Sequence, residues 1–281
     1  MSETVQKIYG LLGHPVSHSL SPLMHNAALS HLKINAQYKL FDVLPQELDR
    51  FLAGLGDEVC GLNVTVPYKE KVLGAVSLDK DTAYLKKINA VNTMVRQGSG
   101  WRGFNTDIPG FAKHLAENFD PKGKKAAILG AGGAARAVAY ALAGAGAKEI
   151  ALFDVDAVKS AAVVEMVKSI FPGYDVSAVD SADKLGLKDK DLLVNATPVG
   201  LKDSDPCVIR QESIHSGLFV YDLIYSPAET KLLKAARDKG ARASNGLGML
   251  LYQGAMSFEY FTGRPAPVEV MREALQKGVK P

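Results

Sequence analysis

The stretch that decides the fold is KKAAILGAGGAARAVAYALAGAGA, residues 124–147. The apolar run 126–129 has the length of a short buried strand, and Gly130, Gly132 and Ala135 follow it at the spacing G-x-G-x-x-G/A. The first glycine permits a sharp turn, the second lets a pyrophosphate approach the backbone, and the small third residue lets the helix pack against the strand. The stretch therefore predicts a strand, a tight turn and a helix whose free N–H groups can bind phosphate.

The segment after this helix strengthens the prediction of a dinucleotide site. The helix-forming run 134–143 stops at Gly144 and Gly146, and a second apolar run leads to Asp154. An acid about 20 residues beyond such a loop holds the ribose hydroxyls of a dinucleotide. Asp154 could instead cap the helix that follows, but the order of strand, loop, helix, strand and acid favours nucleotide binding.

Size and composition indicate a globular protein with room for two domains. The chain has 281 residues, of which 47% are hydrophobic and 22% charged, and domains typically contain about 100 to 200 residues. A net charge of +3 is too small to indicate a nucleic-acid or membrane partner. Cys60 and Cys207 form no metal or disulfide pattern, and the first residues lack the pattern of a secretion signal. We therefore expect a cytoplasmic protein without a metal. These numbers leave open whether it is a monomer or a homodimer.

Polar residues lie at the ends of predicted elements in the N-terminal half. Ser21 precedes Pro22, a typical helix start, where a serine can cap the helix or bind an anion. Asn63, Thr65 and Lys69 follow a predicted strand, where open α/β sheets bind ligands, so we expect a polar ligand beside them. We predict strands at 8–12, 38–43, 60–66 and 88–94, and helices at 22–32, 46–54, from 68 onward and at 109–118.

Beyond Asp154 the sequence alternates strands with helices, which is the pattern of a parallel sheet. If the sheet is parallel, the predicted strands 192–195 and 219–225 end beside the glycine loop. Helices are predicted at 157–170, 229–239 and 249–261, and the segment 271–278 closes the chain. In the first of these helices, the residues expected to face the core are Val158, Ala162, Met166 and Ile170.

Short motifs with polar residues or glycines at fixed places run through the whole chain. They are Ser19-Leu-Ser21-Pro22, Asn63-Val-Thr-Val-Pro-Tyr-Lys69, Ala90-Val-Asn-Thr93, Asn105-Thr-Asp107, Gly130-Ala-Gly-Gly-Ala134, Asn195-Ala-Thr-Pro198, and Gly246-Leu-Gly-Met249 with Gln253. In their order and spacing the chain resembles the shikimate dehydrogenase family over its whole length.

The resemblance implies an α/β protein with two domains and an active site in the cleft between them. A mixed α/β substrate-binding domain would comprise 1–106, completed by C-terminal helices in 247–281. A Rossmann-type, doubly wound parallel-sheet domain that binds NAD(P) would comprise 107–246. The activity implied is reversible hydride transfer between a nicotinamide cofactor and shikimate or 3-dehydroshikimate, in aromatic amino-acid biosynthesis.

The resemblance also implies roles for individual residues. Lys69 would be the catalytic acid/base, paired with Asp107, which keeps the amine charged and oriented. Ser19 and Ser21 would hold the substrate carboxylate. The residues that would hold the ring hydroxyls are Asn63, Thr65, Asn92, Asp107 and Gln253, with Tyr225 near the substrate. The residues expected at the cofactor are Gly130, Ala131, Gly132, Gly133, Ala134, Asp154, Thr197, Leu223 and Gly246.

The residues after the second strand of the nucleotide domain bear on the choice of cofactor. Asp154, Val155 and Asp156 stand where NADP-using family members usually carry Asn-Arg-Thr or a similar basic cluster. Two carboxylates would repel a 2′-phosphate, whereas Asp154 can accept a hydrogen bond from a free 2′-hydroxyl. We therefore expect NAD as the cofactor, with NADP less favoured.

Other functions are compatible with parts of the sequence. NAD-using relatives often oxidise quinate as well, so a quinate/shikimate dehydrogenase of quinate catabolism is the first alternative, although the Ser19 and Ser21 pair is more typical of the shikimate enzyme. A non-catalytic sensor or repressor on the same fold is a further alternative. Such a protein would not need both Lys69 and Asp107, so their presence disfavours it. A different oxidoreductase would explain the glycine loop and leave the N-terminal motifs unexplained.

Overall fold

A computed structural model describes residues 6–279 of the chain. The described residues form two compact units: unit 1 consists of 6–106 and 251–278, and unit 2 consists of 107–250 together with residue 279. Unit 1 contains a mixed sheet and unit 2 a parallel sheet, which confirms the predicted α/β class. Within 6–279, no helix is both long enough and apolar enough to cross a membrane.

The strands and helices of the described residues alternate along most of the chain. The strands are β1 (Lys7–Gly13), β2 (Ala36–Asp42), β3 (Val59–Val64), β4 (Thr93–Gln97), β5 (Gly100–Phe104), β6 (Lys125–Leu129), β7 (Glu149–Phe153), β8 (Val176–Ala178), β9 (Leu192–Asn195), β10 (Phe219–Asp222) and β11 (Arg242–Ser244). The helices are α1 (Ser21–His31), α2 (Leu48–Ala53), α3 (Leu85–Ile88), α4 (Asp107–Ala116), α5 (Gly133–Gly144), α6 (Ala157–Ile170), α7 (Lys231–Asp238), α8 (Leu247–Thr262) and α9 (Val268–Gly278).

The sheet of unit 1 has the order β2-β1-β3-β4-β5 in the described residues. Strand β1 runs parallel to β2 and β3, since the helical connections return the chain to the same end of the sheet. Strands β4 and β5 join by a tight hairpin and run antiparallel to their neighbours. The carboxyl ends of β1, β2 and β3 therefore lie along one edge of the sheet. The motif at 19–22 follows β1, and the motif at 63–69 begins at the end of β3.

Segments far apart in sequence build the core of unit 1. The ring of Phe261 in α8 stacks on Tyr9 of β1 at 5.1 Å, and the Tyr9 hydroxyl donates to the Phe261 carbonyl at 2.9 Å. A Cβ on Gly61 would lie 2.3 Å from the same Phe261 ring, so only glycine fits at this place in β3. Helix α9 packs on α1. The C-terminal helices thus complete the hydrophobic core of unit 1.

The sheet of unit 2 is parallel throughout the described residues, in the order β11-β10-β9-β6-β7-β8. Strands β9 and β6 are adjacent, so the predicted approach of the strand ending at Asn195 to the glycine loop is confirmed. Helix α5 follows β6 and buries Ala135, Val138 and Leu142. The small residues of the glycine-rich stretch permit this close packing of the helix against the sheet.

Helix α6 has the predicted bounds. Of its predicted core residues, Met166 is buried and Ala162 and Ile170 are half-buried, but Val158 is not in the core. Val158 is 79% exposed, whereas Ser160, Val163, Val164 and Val167 are buried together with Met166. The prediction that Val158 lies in the core is therefore wrong. Because apolar residues surround much of this helix, their spacing alone does not show which side packs on the sheet.

Three local expectations differ from the structure. The segment predicted as a strand at 88–94 contains the end of α3, then Asn89 in the left-handed conformation at φ 56°, and becomes β4 only at Thr93. The helix expected from residue 68 is a turn followed by a short 3₁₀ segment, Lys71–Ala75. Strands β5, β8 and β11 were not predicted, and β8 and β11 have only three residues each, too few for an alternation pattern.

Candidate active site

The serine pair of unit 1 lies where the chain enters α1. The Ser19 hydroxyl accepts the backbone N–H of Ser21 at 3.2 Å and lies 3.2 Å from the Ser21 hydroxyl. Ser21 is the first residue of α1 rather than its cap, and Pro22 follows in the first turn. Two hydroxyls beside a helix start form a group that can donate hydrogen bonds to a carboxylate.

Asn63 is buried at the end of β3, and its amide is bonded to residues of unit 1. Its Oδ1 accepts from the Tyr38 hydroxyl at 2.8 Å, and its Nδ2 donates to Ser257 Oγ at 2.7 Å and to Thr93 Oγ1 at 3.1 Å. Two residues on, Thr65 is half-buried and its backbone N–H donates to the Leu12 carbonyl at 2.9 Å.

Lys69 lies in the turn after β3. Its carbonyl accepts the Val91 N–H at 2.8 Å, which ties the turn to the segment that carries Asn92. Its neighbour Tyr68 is fully buried and its hydroxyl donates to the Val43 carbonyl. The backbone of Lys69 is thus anchored, and its side chain is half-buried.

Asn92 is held by the residues just before α4. Its Oδ1 accepts the backbone N–H of Thr106 at 2.7 Å, and its Nδ2 donates to Thr106 Oγ1 at 3.0 Å. Gln253 Oε1 lies 3.4 Å from the same Thr106 hydroxyl. Unit 1 therefore brings Asn63, Asn92 and Gln253 around one buried polar cluster, although Gln253 is far from the other two in sequence.

Four members of this cluster were not identified from the sequence: Tyr38, Thr93, Thr106 and Ser257. Thr93 and Thr106 lie inside the quoted motifs, and Ser257 stands four residues after Gln253, on the same face of α8. The four-residue spacing from Gln253 is therefore a sequence pattern that can identify Ser257 as a member of the cluster. Tyr38 had none, because a tyrosine in a strand is most often a core residue.

Asp107 and Tyr225 belong to unit 2. Asp107 is the first residue of α4 and is buried, and Tyr225 is half-buried shortly after β10. Lys69 and Asp107 lie in different units, and their pairing stays a prediction. An acid in the first turn of a helix is favoured by the partial positive charge there, which is a structural reason for an aspartate at position 107.

The glycine loop of unit 2 has the geometry that a bound dinucleotide requires. Gly130 adopts φ +100°, and a Cβ there would lie 2.9 Å from the Ala196 carbonyl oxygen, so this position demands glycine. A Cβ on Gly132, by contrast, would meet no atom within 4 Å. Gly132 therefore leaves open space at the start of α5, where a pyrophosphate can approach free N–H groups. The loop fits a dinucleotide.

Asp154 and Asp156 are both bonded to the backbone of unit 2. Asp154 Oδ2 accepts the Ala131 N–H at 2.7 Å, and its Oδ1 accepts the Asp156 N–H at 2.9 Å. Asp156 Oδ1 accepts the N–H groups of Val158 and Lys159 at 3.0 and 3.2 Å, and Asp156 is therefore the cap of α6. Lys159 Nζ also lies 3.6 Å from Asp156 Oδ2, which offsets the negative charge of this turn.

The remaining residues expected at the cofactor, Thr197, Leu223 and Gly246, lie on the loops after β9, β10 and β11 respectively. The Thr197 hydroxyl donates to Asn195 Oδ1 at 2.7 Å, and the Leu223 N–H donates to the Asn195 carbonyl at 2.9 Å. A Cβ on Gly246 would lie 2.0 Å from the Leu223 carbonyl oxygen, so these two loops touch. The structure thus brings Gly130, Thr197, Leu223 and Gly246 to one edge of the parallel sheet.

A buried carboxylate supports these loops. Asp222 is fully buried and accepts hydrogen bonds from Asn195 Nδ2 at 3.0 Å and from the Thr230 hydroxyl at 2.7 Å. Burial raises the pKa of Asp222 to about 6, although these hydrogen bonds act in the opposite direction. Asp222 fixes the orientation of the Asn195 amide and so the loop that carries Thr197.

Two family models match parts of this chain. Residues 11–94 match the model of the shikimate dehydrogenase substrate binding domain, and 246–276 match the shikimate 5′-dehydrogenase C-terminal domain. A shikimate dehydrogenase (NADP(+)) from Methanopyrus kandleri is 45% identical over 95% of this chain and 94% of its own length.

Solved structures show the same architecture. Shikimate dehydrogenase from Aquifex aeolicus superposes with a TM-score of 0.88 at 37% identity, covering 98% of this chain and 100% of the other. Shikimate 5-dehydrogenase from Thermus thermophilus, in complex with NADP(H) and shikimate, gives a TM-score of 0.84 at 34% identity, covering 97% of this chain and 100% of the other.

These relatives overturn the expectation that NAD is favoured over NADP. The Methanopyrus kandleri relative is named for NADP(+), and the Thermus thermophilus structure holds NADP(H). The structure supplies the physical reason for the error: both carboxylates bind backbone N–H groups, that of Asp154 in the glycine loop and that of Asp156 at the start of α6, which it caps. Charge at these two positions is therefore a poor guide to the cofactor.

The identity to the Methanopyrus kandleri relative extends over almost the whole of both chains, and the predicted motifs occur in both units. The chain belongs to the shikimate dehydrogenase family.

Proposed function

We propose that this protein catalyses the reversible, NADP(+)-dependent oxidation of shikimate to 3-dehydroshikimate. The observation that carries the proposal is the 45% identity over 95% of the chain to a shikimate dehydrogenase (NADP(+)). Lys69 and Asp107, which stand in two of the motifs that resemble the family, are the proposed catalytic pair. Quinate remains the alternative substrate to be tested. A sensor without catalysis would not require both of these residues.

The side chains of the chain have complementary tasks in this reaction. Ser19 and Ser21 donate hydrogen bonds to the substrate carboxylate. The groups that bind ring hydroxyls are Asn63, Thr65, Asn92, Asp107 and Gln253, with Tyr225 beside the substrate. Lys69 Nζ takes the proton from the reacting hydroxyl during oxidation and returns it during reduction, while Asp107 orients the amine.

The glycine loop and the loops after β7, β9 and β10 would hold NADP(+) in unit 2. When bound, the cofactor supplies the nicotinamide ring that accepts the hydride. Gly130, Gly132 and the start of α5 provide the pyrophosphate site, and Thr197, Leu223 and Gly246 lie along the same edge of the sheet.

Steady-state kinetics test the proposal and the role of Lys69 together. We expect the wild-type chain to oxidise shikimate with a higher kcat/KM than quinate, and with a higher kcat/KM for NADP(+) than for NAD(+). Lys69→Met should lower kcat by roughly 100- to 10,000-fold, because a positioned acid/base contributes this much. Lys71→Met is a matched control, since Lys71 is exposed in the next short 3₁₀ segment.

The possible results separate the hypotheses. Near-wild-type kcat in Lys69→Met would show that another group moves the proton. Absence of shikimate oxidation by the wild-type chain would refute the dehydrogenase and favour the sensor. Higher kcat/KM with quinate would identify the quinate enzyme.

A further inference from the structure

Three buried hydroxyl groups of unit 1 lie within hydrogen-bond distance of one another. Thr93 Oγ1 is 3.2 Å from Thr106 Oγ1 and 3.1 Å from Ser257 Oγ, and Thr106 Oγ1 is 3.1 Å from Ser257 Oγ. Thr93 and Ser257 are 0% exposed, and Thr106 is 1% exposed. We call these three groups the hydroxyl triangle.

The hydroxyl triangle is surrounded by the amides of three residues to which the proposed function assigns the substrate. Asn63 Nδ2 donates to Ser257 at 2.7 Å and to Thr93 at 3.1 Å. Asn92 Oδ1 accepts from Thr93 at 3.0 Å, and Gln253 Oε1 lies 3.4 Å from Thr106. Each of the three amides thus has a partner in the triangle.

Backbone groups set the direction of the hydrogen bonds. An amide side chain has nearly the same shape in both orientations, and its hydrogen-bond partners decide which end faces which way. The Thr106 backbone N–H can only donate, and at 2.7 Å it fixes the oxygen of Asn92. The Ser257 hydroxyl donates to the Gln253 carbonyl at 2.9 Å, which leaves its lone pairs to accept from Asn63.

We propose that the hydroxyl triangle is a positioning device that holds the amides of Asn63, Asn92 and Gln253 in the orientation that binds the ring hydroxyls of the substrate. This inference rests on the proposed function. A hydroxyl-binding site needs its donors and acceptors in fixed places, because an amide turned the wrong way replaces a hydrogen bond with a repulsive contact.

The test removes one hydroxyl with little change of shape. Thr93→Val deletes the partner of both Asn63 and Asn92. We expect the KM for shikimate to rise roughly tenfold, with kcat and the KM for NADP(+) within about twofold of wild type, since the glycine loop belongs to unit 2. Thr93→Ser restores the hydroxyl and should return the KM for shikimate to within about threefold of wild type.

A matched control separates positioning from a general loss of stability. Thr82 is also a buried threonine of unit 1, and its hydroxyl accepts the Asp79 N–H at 2.9 Å, outside the triangle. Thr82→Val should destabilise unit 1 without changing the KM for shikimate. The only tryptophan, Trp101, lies in β5, so its fluorescence during urea unfolding reports the stability of unit 1 in every variant.

The results decide as follows. If Thr93→Val does not fold, the same KM values are measured for Ser257→Ala, which removes a hydroxyl of the triangle without adding an atom. An unchanged KM for shikimate in a folded variant would overturn the inference, and so would an equal rise in both KM values. Wild-type protein that does not oxidise shikimate would refute the proposed function itself, and the inference would fall with it.

Discussion

His25 is a histidine of α1 that is buried among aromatic rings. Its ring stacks on Tyr38 at 4.2 Å, with Phe258 and Phe261 at 6.3 and 6.2 Å. Its Nε2 has no hydrogen-bond partner among the described residues. Burial lowers the pKa of His25 to about 3, so the imidazole is neutral in the folded protein at ordinary pH.

This burial predicts a dependence of stability on pH. In the unfolded chain His25 binds a proton near pH 6.5, whereas in the folded chain it does so only near pH 3. Stability therefore falls as the pH decreases through this range, by at most about 1.4 kcal/mol per pH unit. Between about pH 7 and pH 4.5, we expect wild type to lose roughly 2 kcal/mol more than His25→Gln.

Urea unfolding followed by Trp101 fluorescence measures this difference. His31→Gln is the control, because it removes an imidazole that is exposed in the same helix rather than buried among aromatic rings. Equal pH dependence in His25→Gln and wild type would show that the imidazole is protonated in the folded state.

The chemical type of a single residue is sufficient to predict its role at some positions and insufficient at others. Gly130 has the geometry that its place in the glycine motif indicates, since it adopts a positive φ in a tight turn. Asp154 and Asp156 are the counterexample, since the bonds of their carboxylates to the backbone are not visible in the sequence. The NAD preference expected from their charge was wrong for that reason.

At the scale of elements, the two glycines of the loop predict opposite effects of the same substitution. Gly130→Ala places a methyl group against the Ala196 carbonyl at φ +100°, and we expect it to cost about 1 to 3 kcal/mol of stability or more. Gly132→Ala meets no atom within 4 Å and should fold normally. Its methyl group should nevertheless raise the KM for NADP(+) roughly tenfold or more, because it occupies the approach of the pyrophosphate.

Thermal unfolding and cofactor kinetics distinguish these outcomes. Gly173→Ala is the control for backbone strain alone, since Gly173 has φ +81° with no atom within 4 Å of a Cβ. It should lose less stability than Gly130→Ala. A wild-type KM for NADP(+) in Gly132→Ala would place the pyrophosphate elsewhere.

At the scale of the whole molecule, the two units differ in how the chain builds them. Unit 2 is nearly continuous in sequence, with its own buried cluster that includes Leu129, Leu193 and Val220. Unit 1 requires the C-terminal helices, because Phe258 and Phe261 of α8 pack on His25 and Tyr9. Met271 and Leu275 of α9 are also buried.

This difference predicts how fragments of the chain fold. Residues 107–250 should fold alone, with cooperative thermal unfolding by circular dichroism. Residues 1–106 should not, because about four large apolar side chains that complete the core are absent, at roughly 2 to 5 kcal/mol each. Addition of a peptide of residues 247–281 should shift Trp101 emission to shorter wavelength. Cooperative unfolding of 1–106 alone would contradict the prediction.

The sequence by itself determined the glycine-loop unit, the bounds of α6 and β9, the α/β class and the family. The glycine loop and the bounds of single elements depend on neighbours within one or two turns, whereas the class and the family follow from the order of elements and motifs along the chain. Only the tertiary structure decided which face of α6 is buried, how Asn92 is held before β4, and that Thr93, Thr106 and Ser257 meet. Such contacts join residues that are far apart in sequence, and their geometry is fixed by packing of the core rather than by any local pattern.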